Sequence, residues 1–187
     1  MESPGLSRDE WLEKLTLVDQ SLQRQGATAL LTLVGSAAGI FAGQPGRTSI
    51  DLDVWKPTSR YQVPALKKAV EAAGLLFDPK SMLEPDRPYI QLMEPGIAQT
   101  GEFTTTEMLE PFSALRLERP PIANLVAAKL VRAEPKDLED IAFLISRYQP
   151  TRQDIEEAVN TMPRRARETA TENLVYLSTM GENEPNS

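Results

Sequence analysis

The stretch that decides the fold is Ala29–Trp55, which reads ALLTLVGSAAGIFAGQPGRTSIDLDVW. Its apolar start, ALLTLV, predicts a buried strand that is closed by Gly35 and Ser36. Around Asp51 and Asp53, apolar residues alternate with acids, which predicts a second strand. Side chains two residues apart on a strand point to the same face, so we expect the two carboxylates to project side by side.

These motifs together predict a site for a metal ion and a phosphate. Two neighbouring carboxylates repel each other, and a hard divalent cation relieves the repulsion. The sequence has no histidine and no cysteine, so any ligands are oxygen atoms, which favours Mg²⁺ over zinc. Gly35 lets the backbone approach a ligand closely, and Ser36 is expected to begin a short helix whose free N–H groups attract phosphate. Phosphoryl and nucleotidyl transfer require this combination.

Each motif also has an ordinary interpretation when it is taken alone. An Asp-x-Asp pair on a strand is commonly a solvated edge, and a Gly-Ser that closes an apolar run is commonly a plain turn. The order and proximity of the two motifs are what make the functional interpretation specific.

Composition excludes several other classes of protein. The 187 residues are 41% hydrophobic and 25% charged, which is typical of one globular domain. No apolar run reaches the roughly 18 residues of a membrane span, and the polar start of the sequence lacks the order of a signal peptide, so we expect a cytoplasmic protein without membrane contact. Without histidine or cysteine, Ser-His triads, cysteine nucleophiles and thiolate zinc sites are excluded.

The charge distribution limits any contact with nucleic acid to a local surface. A net charge of −7 argues against coating nucleic acid by bulk electrostatics. A late group of arginines is the best candidate for a local RNA contact, and its alternative interpretation is a solvated basic face: Arg147, Arg152, Arg164, Arg165 and Arg167.

The periodicity of the rest of the chain predicts an α+β protein in one domain, 1–187. It divides into an N-terminal helix (1–26), a mixed-sheet core (27–120), a helical half (121–180) and a disordered tail (181–187). Further strands are expected at 75–77, 89–93, 99–105 and 113–118. Helices are expected at 64–73, 121–133, 136–148, 152–161 and 163–178.

One lysine of the helical half falls where an apolar residue is expected. Lys129 lies within the apolar stripe of the helix 121–133, which is costly unless its ammonium finds a partner. Its stem could extend to the surface, or its ammonium could meet the two carboxylates or a phosphate. Arg132 borders the same face. Asp137 lies in the first turn of the next helix, where it could interact favourably with the helix dipole or face inward.

Four short segments in this order resemble the motifs of the minimal nucleotidyltransferases, most closely the bacterial toxin-type branch of AbiEii and MenT-like proteins. They are Leu33-Val34-Gly35-Ser36, Asp51-Leu52-Asp53, Ala128-Lys129-Leu130 and the run from Arg132 to Ile141. The resemblance covers roughly residues 30–147. It implies a nucleotidyltransferase-like mixed β-sheet core with flanking helices and a C-terminal helical half.

The resemblance also implies roles for particular residues. Gly35 and Ser36 would contact the triphosphate, and Asp51 and Asp53 would hold Mg²⁺ and act in catalysis. In the helical half, Lys129 would bind phosphate with Arg132 beside it, and Asp137 would support the reacting hydroxyl. The implied activity is transfer of a nucleotide from an NTP to an RNA, such as tRNA, or to a protein hydroxyl, as the toxin of a pair with a cognate antitoxin.

The sequence departs from the family pattern at one position. Many nucleotidyltransferases carry a third carboxylate on a later strand, and here that position falls on Gln91, which is neutral. The alternative to an active enzyme is therefore a catalytically inactive relative that binds a nucleotide or a partner protein. A metal-dependent nuclease is a third possibility.

Overall fold

The computed structural model describes residues 5–80 and 87–181. Its contacts divide the chain into two compact units. The first, the sheet unit, consists of the residues up to Ile97 together with Thr106–Pro120, and the second, the helical unit, consists of Ala98–Thr105 and the residues from Pro121 onward. The division at Pro120 and Pro121 falls where the sequence predicts the change from sheet to helices. The single domain expected from the sequence stays a prediction.

The described residues of the sheet unit form three helices and seven strands. In chain order they are α1 (Arg8–Arg24), β1 (Ala29–Val34), α2 (Gly35–Phe41), β2 (Asp51–Trp55), β3 (Arg60–Tyr61), α3 (Val63–Ala72), β4 (Leu76–Phe77), β5 (Tyr89–Met93), β6 (Glu107–Pro111) and β7 (Leu115–Arg119). A capping box is present at the start of α1, where Ser7 and Glu10 exchange hydrogen bonds.

The strands form one mixed sheet in the order β4-β5-β2-β1-β7-β6, with β3 also paired to β1. The pairs β1–β7, β2–β5 and β4–β5 are parallel, and the pairs β1–β2, β1–β3 and β6–β7 are antiparallel. This mixed α/β architecture agrees with the predicted fold class.

The two faces of the sheet differ in chemistry. On one face, alternate strand residues such as Leu31, Leu33 and Leu52 pack in a core with α1 and α3. Their neighbours in sequence, including Thr32 and Asp53, point to the opposite face because strand side chains alternate. We call this second face the polar face.

Three details of the strands differ from the sequence prediction. The predicted strand 99–105 does not form; that segment belongs to the helical unit. Carbonyl oxygens of this segment accept hydrogen bonds from a side chain instead of a neighbouring strand. The Asn124 amide donates to the carbonyl oxygens of Thr100 (2.9 Å) and Glu102 (3.0 Å). The strands β3 and β6 were not predicted.

The helical unit contains α4 (Ile122–Leu130), α5 (Pro135–Tyr148), α6 (Arg152–Asn160), α7 (Arg164–Asn173) and α8 (Val175–Gly181). The helix predicted over 163–178 is thus two helices, separated at Leu174. Most of the predicted disordered tail, 182–187, lies outside the described residues. None of the helices in the described ranges combines the length and apolar character needed to cross a bilayer.

Candidate active site

The predicted carboxylate pair lies beside the end of β1. Asp51 and Asp53 occupy alternate positions of β2 and are half-buried, whereas Leu52 between them is fully buried. Antiparallel pairing sets Asp53 opposite Val34, the last residue of β1. The sheet register therefore brings the turn at Gly35 directly to the Asp53 carboxylate.

Gly35 is required at this turn for two reasons. Its φ of +62° is a left-handed conformation that residues with a side chain adopt at a cost. A Cβ atom at this position would also lie 2.5 Å from Oδ2 of Asp53. The absence of a side chain thus lets the backbone pack against a carboxylate. The close approach of Gly35 to a bound ligand stays a prediction.

Asp51 is held from both sides by hydroxyl groups. The Ser49 hydroxyl donates to Oδ1 of Asp51 (2.6 Å), and the Tyr89 hydroxyl lies 3.4 Å from Oδ2. Burial, and then the negative charges of Asp51 and Asp53, raise the pKa of Tyr89 to about 12. Tyr89 therefore remains a neutral hydrogen-bond donor at physiological pH, and its pKa depends on the charges of both carboxylates.

Ser36 begins α2 next to an arginine that sequence reasoning did not single out. The Arg47 guanidinium donates to the Ser36 hydroxyl oxygen (3.2 Å). The loop between α2 and β2 therefore returns a positive charge to the turn that contains Gly35 and Ser36. A guanidinium beside a hydroxyl and a backbone turn is suited to binding phosphate oxygens.

The neutral Gln91 lies at the position expected for a third carboxylate. Parallel pairing of β2 and β5 sets Gln91 beside Asp53. Its amide nitrogen donates to Oδ1 of Asp78 (3.2 Å), an oxygen that also accepts the N–H of Leu92 (3.1 Å). Gln91 is thus committed to a structural contact at the end of β4.

The donor atoms at this site fit magnesium bound together with a nucleotide. No group of three or more histidine, cysteine, aspartate or glutamate side chains within 5–80 and 87–181 could hold a metal ion. Asp51 and Asp53 offer two hard carboxylates, and proteins typically bind Mg²⁺ with one or two carboxylates plus substrate phosphates. The chemistry of the pair therefore suits a Mg²⁺–nucleotide complex better than a permanent metal centre.

The predicted residues of the helical unit form a charge cluster in which Lys129 and Asp137 are buried and Arg132 is exposed. The Lys129 ammonium lies 2.6 Å from Oδ2 of Asp140 and 3.8 Å from Oδ1 of Asp137. Arg132 binds both oxygens of Asp137, at 2.7 and 2.8 Å. Lys129 is only 7% exposed, so its stem does not extend to the surface. Asp137 faces inward, and its carboxylate also caps α5 by accepting the Glu134 N–H (3.3 Å).

The pairing in this cluster sets the protonation of Asp137. Burial alone would raise the pKa of Asp137, but the hydrogen bond from Arg132 and the charges of Lys129 and Arg132 outweigh it and lower the pKa. The same hydrogen bond raises the pKa of Arg132. A carboxylate with a lowered pKa is a weak proton acceptor. The geometry therefore suits Asp137 better to holding cations in place than to removing a proton.

The structure thus sorts the predicted residues into two groups. Gly35, Ser36, Asp51 and Asp53 come together in the sheet unit, whereas Lys129, Arg132 and Asp137 come together in the helical unit. Sequence reasoning missed four partners: Arg47, Ser49, Tyr89 and Asp140. The i, i+2 spacing of Ser49 and Asp51 was the one local signal that could have revealed a partner.

Comparison with known proteins supports the fold. No protein-family model matches the chain, and no match is found among curated proteins. The fold is similar to the crystal structure of an antigenic nucleotidyltransferase-like protein from Paracoccidioides brasiliensis, with a TM-score of 0.51 and 15% sequence identity over 96% of this chain and 95% of that chain. The protein therefore has a nucleotidyltransferase-like fold.

Proposed function

We propose that this protein is a Mg²⁺-dependent nucleotidyltransferase whose nucleotide site is the end of the sheet formed by Gly35, Ser36, Asp51 and Asp53. The observation that carries the proposal is the contact of Gly35 with Asp53. A backbone turn that packs directly on a carboxylate can present its own polar groups and a carboxylate-bound cation to one triphosphate.

Each residue of the site has a chemical role in this proposal. Asp51 and Asp53 would hold Mg²⁺, which when bound neutralises charge on the reacting phosphates. The Gly35 backbone and the Ser36 hydroxyl would contact phosphate oxygens, with the Arg47 guanidinium beside them. Tyr89 and Ser49 orient Asp51 through its two oxygens.

The roles of the helical unit follow from its ion pairs. Lys129 and Arg132 remain proposed phosphate contacts, and Asp137 remains a proposed catalytic residue. A phosphate that binds Lys129 would compete with Asp140 for the ammonium. Arg132 is better placed for such a contact, because its side chain is 64% exposed while it binds Asp137.

The proposed acceptor is a hydroxyl of RNA, such as tRNA, or of a protein. This part of the proposal, and the pairing of the protein as a toxin with a cognate antitoxin, rest on the resemblance to the toxin-type branch. The acidic net charge of −7 is compatible with an RNA acceptor only if its contact is local.

Gln91 favours a second candidate, which is nucleotide binding without turnover. Its neutral amide lies beside Asp53 and is engaged with Asp78. No third carboxylate is therefore supplied from this position to activate the attacking hydroxyl.

The decisive experiment incubates the protein with each radiolabelled NTP, Mg²⁺ and total RNA, and follows label on RNA and on protein by gel. Transfer by wild type and by Glu13→Gln/Glu71→Gln, but not by Asp51→Asn/Asp53→Asn, is expected. The control pair lies on exposed positions of α1 and α3 and removes the same charge. Mg²⁺-dependent nucleotide binding without transfer would favour the second candidate, and transfer by the Asp51/Asp53 variant would contradict the proposed site.

A further inference from the structure

The polar face of the sheet continues well beyond the two carboxylates. Along β1, the residues Leu30, Thr32 and Val34 lie on this face, since Ala29, Leu31 and Leu33 belong to the core. Asp53 is opposite Val34 at one end. Leu30 marks the other end, about 13 Å away along the strand at the usual rise per residue.

Two arginines flank Leu30 at this second end. Arg60 pairs with Leu30 from β3, and Arg116 pairs with it from β7. Paired residues on neighbouring strands share a face, so both arginines lie on the polar face. Both line a pocket of about 480 Å³, together with Thr28, Met108, Phe112 and Ser113 among others.

The charge of this pocket is positive in a protein that is acidic overall. None of the pocket-lining residues in the described part of the chain carries a carboxylate. Arg60 is exposed and makes no ion pair with any residue in the described ranges. Arg116 pairs with Glu118 at 3.0 Å but remains 53% exposed. Two accessible arginines that line the same cavity provide a site for an anion.

We propose that the Arg60–Arg116 pocket binds the sugar–phosphate backbone of an RNA acceptor, a few nucleotides away from the hydroxyl that reacts near Asp53. This proposal rests on the proposed function and names the acceptor class. The pocket and the carboxylate pair lie on the same face of the sheet, about 13 Å apart along β1. Thr32 and Val34 between them are 0% and 2% exposed, so an RNA strand that reaches both sites passes over the residues that cover this part of the face.

The lining of the pocket favours a nucleotide over an acidic peptide. Guanidinium groups bind phosphate and carboxylate alike through two parallel hydrogen bonds, and the hydroxyls of Thr28 and Ser113 offer further polar contacts to either. The feature that distinguishes a nucleotide from an acidic peptide is apolar. Met108 is 52% exposed beside them and provides an apolar surface on which a base can rest. The cavity thus offers polar contacts for a phosphate group and an apolar contact for a base.

The test measures binding of fluorescein-labelled single-stranded RNA by anisotropy over a range of salt concentrations, without Mg²⁺ or NTP. It compares wild type, Arg60→Gln/Arg116→Gln and the control Lys67→Gln/Lys68→Gln. The control removes the same charge from exposed positions of α3, the helix that packs on the opposite face. Thermal melts confirm that each variant is folded, and calorimetry measures Mg²⁺–NTP binding separately.

The arginine variant is expected to bind RNA roughly 10- to 100-fold more weakly, because each arginine–phosphate hydrogen bond contributes about a factor of ten or more. The slope of log affinity against log salt should fall by about 1.4, since each single-strand phosphate contact contributes about 0.7. The control variant should bind like wild type, and Mg²⁺–NTP binding should be unchanged in both.

Several results would overturn the proposal. The first is that the arginine variant binds RNA with wild-type affinity. The second is that the lysine control loses as much RNA affinity as the arginine variant. The third is that polyglutamate displaces the labelled RNA as effectively as unlabelled RNA does. Wild-type protein that binds Mg²⁺–NTP but not RNA would refute the pocket and leave the nucleotide site intact. Protein that binds RNA through the pocket but does not bind NTP would refute the proposed function instead.

Discussion

Replacing Gly35 by alanine should damage the protein more than the same change at Gly26. Both glycines have a φ of +62°, so both substitutions carry the same backbone strain. They differ in surroundings: an added Cβ meets Oδ2 of Asp53 at 2.5 Å in the first case and no atom within 4 Å in the second. The comparison isolates the contact on which the proposed nucleotide site depends.

The expected magnitudes follow from two contributions. The left-handed conformation costs a residue with a Cβ about 1–2 kcal/mol, which applies to both variants. In Gly35→Ala the Asp53 carboxylate must also rotate away, and leaving its rotamer costs about 0.5–1.5 kcal/mol. The free energy of unfolding should therefore fall by about 1–2 kcal/mol in Gly26→Ala and by about 1.5–3.5 kcal/mol in Gly35→Ala.

Urea unfolding of a double-mutant cycle with Asp53→Ala measures the contact directly. Removing the carboxylate removes the clash, so Gly35→Ala should cost about 0.5–1.5 kcal/mol less in the Asp53→Ala background. Mg²⁺–NTP binding should be lost in Gly35→Ala and kept in Gly26→Ala. Equal costs at the two glycines together with strict additivity in the cycle would refute the reasoning.

Two further perturbations test the charges of each unit. Lys129→Met should lower the free energy of unfolding by about 3–5 kcal/mol, because it removes the Lys129 ammonium that pairs with the buried Asp140 carboxylate. A Lys129→Met/Asp140→Asn double variant should recover part of this loss in the same urea titration, and a silent Lys129→Met would contradict the ion pair. Asp51→Asn/Asp53→Asn should bring the pKa of Tyr89 down from about 12 towards the ordinary tyrosine value of 10.0. A tyrosine pKa raised by folding stabilises the protein fully below pH 10.0 and loses that effect as the pH rises to about 12, so in the double variant the loss should be smaller and should be complete at a lower pH. Tyrosinate absorbance measured against a Tyr89→Phe blank reports the shift, and an unchanged titration would show that the carboxylates do not act on Tyr89.

The sequence predicted the carboxylate end of the sheet well because its signals are local. Apolar alternation in β2 fixes the common face of Asp51 and Asp53, and a glycine after a buried strand indicates a tight turn. The contact between Gly35 and Asp53 was not predictable to the atom, because it depends on the antiparallel register of β1 and β2. Register is a property of two segments, and periodicity within one segment does not determine it.

The sequence prediction failed where a side chain makes the hydrogen bonds that a neighbouring strand usually makes. It was incomplete where two interacting residues lie far apart in sequence. The segment 99–105 has strand-like composition, but Asn124 supplies the hydrogen bonds that a neighbouring strand would supply. The apolar stripe of the helix expected at 121–133 correctly predicted that Lys129 faces the interior. It could not identify Asp140, which begins to face Lys129 only after the chain turns at Pro135 into α5.

The most direct test of the central claim is calorimetric titration of NTP into the folded protein with and without Mg²⁺. The proposed two-carboxylate site predicts that wild type binds NTP only with Mg²⁺, that Mg²⁺ alone binds weakly, and that Asp51→Asn/Asp53→Asn abolishes the Mg²⁺-dependent binding while the protein stays folded. A folded double variant that binds Mg²⁺–NTP with wild-type affinity would contradict the account.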